Sequence, residues 1–318
     1  MSNGHASERR NGGEGLSSAA APRAGEGPAP APPSGWQVRR IVVALDASPA
    51  SAAAARNAAR LAARLAAELH GLFVEDAAIL RLSGLPLCVE VGTFSGTPRR
   101  LAPGDVERRL HAQAARARRL LDESALAAAV GRYRFEVLRG EVGRAVAGAL
   151  GDGDLLSLGR VGTTGLARLG SVARAALGGG RGQLLLLPAE GRLEAPIVTV
   201  FGDAAGARRA LAAALRLLDR DPPGAPRPGA LTVLLVAATD ADARRLEAEA
   251  RGTIAAAGHS PALPRFRRAR PGDRHALAHT VALDRANALL LPADSPLVRP
   301  QDLEAVVEAL DCSVLLVR

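Results

Sequence analysis

The chain contains no lysine, so all 41 of its basic side chains are arginine. A drift toward GC-rich codons accounts for that bias. The formal charge of +9, set against 32 acidic residues, is then weak evidence for nucleic acid. Aromatic residues make up only 2% of the chain. This excludes the aromatic-interleaved basic surface of single-strand binders and argues against nucleic acid as a partner. Cysteine is nearly absent. Cys88 and Cys312 lie far apart in no CxxC pair, which excludes a disulfide framework and predicts a reducing compartment. Long apolar runs are missing too. Residues 1–30 have no apolar segment of signal-peptide type, and Leu231 to Ala238 is too short for a membrane span. The expectation is a cytoplasmic protein without membrane contact.

What remains is a chain rich in Leu, Val and Ala, with 48% apolar residues over 318 positions. That is enough for about two domains with aliphatic cores. Small aliphatic side chains suit helices packed on a parallel sheet. Residues 1–37 are rich in Gly, Ala, Pro and Ser and are expected to be disordered, with order beginning near Val38.

From there, short apolar runs alternate with amphipathic segments. Ile41–Leu45 reads as a buried strand ending in Asp46, followed by Ser48 as N-cap and Pro49 as first helical residue. The helix is expected to run to Leu69, with Leu61, Leu65 and Leu69 as its apolar stripe. Further strands are expected at 70–75, 133–138, 155–158 and 183–187, with residues 77–104 irregular and helices over 105–130, over 142–150 and from about 172. The order then recurs. Ile197–Phe201, Leu231–Ala237, Asn287–Leu291 and Ser313–Val317 match the first, second, fourth and fifth strands. The second copy is shorter, and the shortfall falls at the irregular 77–104 segment. The fold class predicted is α/β, two tandem doubly wound domains, each with a parallel sheet of roughly five strands. Their expected limits are 38–190 and 196–318.

The chemistry-bearing pattern is Gly159-Arg160-Val161-Gly162 followed by Gly170-Ser171-Val172, just after the fourth strand. Glycines admit a phosphate to the backbone amides, and a helix starting at Ser171 turns its first N–H groups to the same point. Ligands of open α/β sheets bind beyond the carboxyl ends of strands, where Asp46 also lies. The glycine pattern alone fits a tight turn with a serine cap equally well.

Val42 to Ser48, the Leu72–Asp76 strand end and the Gly159-x-x-Gly162…Gly170-Ser171 loop together resemble the universal stress protein family. The resemblance covers residues 39–188, and 196–318 faintly. It implies the adenine nucleotide alpha hydrolase-like fold and an ATP site in the first domain. Ala44 and Asp46 would border base and ribose, and the Val74 backbone would meet adenine. Leu158, Gly159, Gly162, Gly170, Ser171 and Val172 would surround ribose and phosphates. The family pattern has nine residues between its second and third glycines; this chain has seven, Thr163–Leu169. Single family units pair through the fifth strand. The resemblance therefore implies either an intramolecular pseudo-dimer through Leu184–Leu187 and Val314–Val317, or a homodimer.

The second copy lacks the glycines, and Asp203 falls one position later than Asp46 would place it. It is expected to pack without binding nucleotide. His275 and His279 are four apart, a zinc-compatible spacing, but an exposed helix face is the simpler reading. Arg265, Arg267, Arg268, Arg270 and Arg274 read as a solvated charge run. Two functional readings stand: a nucleotide-binding stress-response regulator with slow or no hydrolysis and a protein partner still to be found, or a structural adaptor with a vestigial site.

Overall fold

The chain begins its regular structure with the strand β1 (Arg40–Ala44), whose three central residues are buried. The computed structural model describes residues 35–318 except 47, 86–88, 92–95, 97, 101, 160–170, 178–180, 189–190, 221–228 and 261–263. β1 leads into α1 (Pro49–Leu65), capped by Ser48, whose hydroxyl accepts from Ser51 N–H at 3.1 Å. The helix is shorter than the leucine stripe predicts. Ala66 adopts a left-handed conformation with φ 54°, and the chain turns there into β2 (Glu68–Asp76). Leu69 is therefore a buried strand residue, not part of the helical face.

The irregular segment holds α2 (Ala77–Ser83) and a hairpin of β3 (Val89–Val91) with β4 (Pro98–Arg100). Then come α3 (Pro103–Ala127), β5 (Tyr133–Gly140), α4 (Val142–Gly148), β6 (Asp154–Gly159), α5 (Ser171–Leu177) and β7 (Gln183–Leu187). The second half follows as β8 (Ile197–Phe201), α6 (Ala205–Asp219), β9 (Leu231–Val236), α7 (Asp240–Ala256) and β10 (Pro264–Ala269). It closes with α8 (Arg274–Leu283), β11 (Ala288–Pro292), a 3-10 turn at Pro300–Asp302, α9 (Leu303–Glu308) and β12 (Ser313–Val317).

Apart from the β3–β4 hairpin, the strands form one ten-stranded sheet, in the order β10-β9-β8-β11-β12-β7-β6-β1-β2-β5. Each half supplies five parallel strands, and the two blocks meet where β7 and β12 pair antiparallel. α1, α3, α6 and α7 cover one face, and α4, α5, α8 and α9 cover the other. β7 and β12 are buried along their whole length, as strands covered on both faces must be. Among the described residues, no helix is long and apolar enough to cross a membrane.

The sheet register makes the internal repeat explicit. Ile41 pairs with Leu69 and Leu155, and Ile197 pairs with Leu231 and Ala288. Leu155 and Ala288 then pair with Gln183 and Ser313, so Leu185 of β7 corresponds to Leu315 of β12. Those two residues are themselves paired, flanked by Leu184 with Leu316 and Leu186 with Val314. The joint is thus isologous: a local two-fold axis passes through the Leu185–Leu315 pair. Polar ties cross the same seam. Arg64 of α1 donates to Leu217 O at 3.1 Å, Ser313 Oγ to Arg192 O at 2.8 Å, and Arg318 to Ala176 O at 2.6 Å.

Two further features bear on the sequence reading. Order begins before Val38: Trp36 is buried, and its indole N–H donates to Gln183 at the start of β7. Residues 1–34, the rest of the segment expected to be disordered, lie outside the described residues. The arginine run is largely exposed, as a solvated charge run should be, but part of it is a strand. Residues 264–269 form β10, an edge strand, where arginine side chains can face water. Arg267 bonds the buried Asp284 carboxylate at 2.6 and 3.0 Å, and Thr232 donates to the same group at 2.8 Å. The Arg267 hydrogen bond is the main reason the Asp284 carboxyl is held below the ordinary 3.8, against the opposing effect of burial. A carboxyl depressed in the folded state stabilises it fully above the unfolded value. That contribution disappears as pH falls through the depressed value.

Two measurements follow from the seam and from this ion pair. Leu185→Ala is expected to lower unfolding stability by about 2–5 kcal/mol, the usual cost of a cavity in a packed core, read by urea titration. Asp284→Asn is expected to lower stability at pH 7 by about 1–3 kcal/mol. Its stability curve should converge on that of the unaltered protein below pH 3.8, where the carboxylate of the latter is being protonated.

Candidate functional site

Parallel strands that all point one way end together, and the crevice beyond their carboxyl ends is where an α/β sheet is open. In the first half the ends of β1, β2 and β6 and the starts of α1 and α5 enclose a cavity of about 510 Å³. Ala44, Asp46, Val74, Leu158, Gly159 and Val172, all expected from the sequence, line it. Gly162 and Gly170 lie outside the described residues. Ser171 opens α5, next to Val172 and Ala173 on the cavity wall.

Other wall residues were not assigned to the site by sequence. Ser48 and Ser51 come from the first turn of α1, and Asp76 and Ile79 from the start of α2. Leu110 and Gln113 come from the first turns of α3. A helical period from Val106 through Leu110 to Ala114 could have flagged the inward face of α3, but not that Gln113 reaches the cavity.

The walls divide by chemistry. Ala44, Leu72, Val74, Val142 and Leu158 form an apolar part shaped by small and branched side chains. Asp46, Ser48, Ser51, Asp76 and Gln113 supply the polar groups, and none of the described wall residues is cationic. Asp46 accepts from Ser48 N–H at 2.9 Å and so fixes the turn from β1 into α1. Burial pushes the Asp46 carboxyl up, but hydrogen bonds from Ser48 and Ser51 outweigh it and hold the group below 3.8. Asp76 accepts from Ala78 N–H at 2.8 Å, capping α2. Both carboxylates are thus anchored at the start of the helix that follows them.

The second half builds the corresponding crevice from different residues. By the sheet register, Val200 stands where Ala44 is, Gly202 where Asp46 is, Leu291 where Leu158 is and Pro292 where Gly159 is. Ala204 stands where Ser48 is and gives α6 no side-chain cap. The cap comes instead from the loop after β11: the Asp294 carboxylate accepts from Gly206 N–H at 3.0 Å. A Cβ on Gly206 would meet that carboxylate at 2.6 Å and Pro292 Cβ at 3.1 Å. The loop is therefore packed onto the helix start, with the Asp294 carboxylate capping it.

His275 and His279 are exposed on α8. Among the described residues, no three His, Cys, Asp or Glu side chains gather to hold a metal ion. Cys312 is buried, and Cys88 lies outside the described residues. If Asp46 locks the β1–α1 turn, Asp46→Ala should destabilise the fold by about 1 kcal/mol, the usual scale of one such hydrogen bond. Thermal unfolding at pH 7 reads this. The difference should vanish as pH drops through the depressed carboxyl value.

The model of the universal stress protein family matches residues 37–86, which carry β1, α1, β2 and the start of the irregular segment. No curated protein matches the sequence. A universal stress protein from Archaeoglobus fulgidus is similar in structure, with TM-score 0.63 and 16% identity, over 89% of this chain and 97% of that one. A functionally unknown protein from Pseudomonas aeruginosa gives TM-score 0.48 and 15% identity, over 88% of this chain and 92% of that one. A universal stress protein solved in complex with cAMP gives TM-score 0.33 and 20% identity, over 47% of this chain and 96% of its own. Residues 37–86 thus match the universal stress protein family, and the fold of the described chain is that of a universal stress protein structure.

Proposed function

We propose that the first half binds one adenine nucleotide, ATP, in the cavity between β1, β2 and β6, and that the chain is a tandem regulator whose second half does not bind. The observation that carries this reading is the division of the cavity walls. An apolar slot of Ala44, Leu72, Val74 and Leu158 suits the face of a purine, and the Asp46 carboxylate beside it can accept from ribose hydroxyls. A carboxylate wall repels phosphate, so the phosphates belong at the other end, toward Gly159, Gly162, Gly170 and Ser171. There the start of α5 and glycine amides would receive them.

Hydrolysis by this site is slow or absent. The two carboxylates of the described wall are each committed to a helix start, Asp46 to Ser48 and Asp76 to Ala78. Neither is placed as a general base. Binding then acts by occupancy, shifting which partner the chain meets. The rival reading, an adaptor with a vestigial site, is favoured by the seven-residue spacing Thr163–Leu169.

Calorimetry with ATP separates the two. The expected result is one nucleotide per chain. Ala44→Leu should weaken binding at least tenfold by filling the base slot. Asp46→Asn should weaken it about tenfold, or roughly 1.4 kcal/mol. Gly162→Val should remove phosphate-dependent affinity, so that ATP and adenosine bind alike. No heat of binding with the unaltered protein, together with no nucleotide in mass spectra of the purified chain, selects the adaptor.

A further inference from the structure

The ten-stranded sheet has two edges, β5 and β10, and they differ in kind. β5 is eight residues long, Tyr133-Arg134-Phe135-Glu136-Val137-Leu138-Arg139-Gly140, and among the described residues only β2 pairs with it. Leu69 N–H donates to Arg132 O, which fixes the phase of the ladder. In a parallel pair the backbone groups of alternate residues face the neighbour. Arg134, Glu136 and Leu138 therefore turn their N–H and C=O toward β2, and Tyr133, Phe135, Val137 and Arg139 turn theirs outward.

We propose that β5 pairs antiparallel with β5 of a second copy of this chain, with the two-fold axis at Phe135. This register makes Phe135 face its own counterpart and Tyr133 face Val137 of the other copy. These are the residues with outward backbone groups, so all three pairs are hydrogen-bonded pairs. The residues between them form the non-hydrogen-bonded pairs, where side chains come closest. There Arg134 falls opposite Glu136 of the other copy, twice. Opposite charges directly across a ladder stabilise it, and like charges destabilise it.

The side chains are placed for this. Arg134 is 51% and Glu136 46% exposed, and Tyr133 and Val137 expose 38% and 45% of their surface. Within the chain, Arg134 contacts Glu68 at 3.1 Å and His70 Nδ1 at 3.4 Å, and Glu136 contacts His70 Nε2 at 3.0 Å. Both side chains thus have partners on β2 and still leave about half their surface exposed. β10 is built against the same event. It starts with Pro264, which has no N–H, and the corresponding register would set Arg265 opposite Arg267.

Sedimentation equilibrium of the full chain tests the proposal. The expected species has twice the 32.6 kDa chain mass, dissociating as salt rises. Val137→Pro removes an outward N–H that β2 does not use, and should give a monomer with an unchanged circular dichroism spectrum. Arg134→Glu alone and Glu136→Arg alone should each be monomeric, since each sets like charges opposite. An equimolar mixture of those two variants should form a heterodimer, because both cross-strand pairs then join opposite charges again. A monomer for the unaltered chain at all concentrations overturns the proposal, as does a dimer indifferent to Val137→Pro. Failure of the mixed variants to associate while the unaltered chain is dimeric overturns the register.

Discussion

Everything in this molecule is arranged around one antiparallel contact, β7 against β12. Five parallel strands make a block with two edges, and each edge exposes a row of unpaired amides and carbonyls. Two blocks in one chain can cancel one edge apiece. The geometry of that cancellation is set by Leu185 and Leu315, which correspond by register and face each other. Because the strands there are buried on both faces, the seam joins the two halves on both sides of the sheet. Covalent linkage makes the encounter intramolecular, so even modest pairing energy suffices to hold it closed.

The two halves then diverge at the crevice without diverging in architecture. A few small changes separate the two crevices. Val200 replaces Ala44, Pro292 replaces Gly159, and a helix cap moves from a local serine to a distant carboxylate, Asp294. Each change is a local exchange that leaves the sheet register intact. The scaffold tolerates this because the strand ends carry little of the packing, which lies between strands and helices toward the middle.

Much of this was legible in the sequence. The buried strands announced themselves as short runs of Ile, Val and Leu. Ser48-Pro49 marked the start of α1, and the recurrence of the strand pattern implied the doubling. Of the nine residues inferred for the site, the six described with their side chains line one cavity. What was missed has physical reasons. Leu69 continued a helical spacing, but Ala66 had already turned the backbone, and an alanine in a left-handed conformation leaves no mark in composition. β10 was hidden because an edge strand can carry arginines where a central one cannot, so its pattern read only as a solvated charge run. α2 and Gln113 escaped because a short helix and a lone polar residue have no period to read.

The seam also carries its own reporter. Trp36 is the one tryptophan of the chain, buried with its indole N–H bonded to Gln183, the first residue of β7. Indole emission depends on burial and on that polar partner. The tryptophan fluorescence of the protein therefore originates beside the central strand pair, and a single optical signal follows the integrity of the joint.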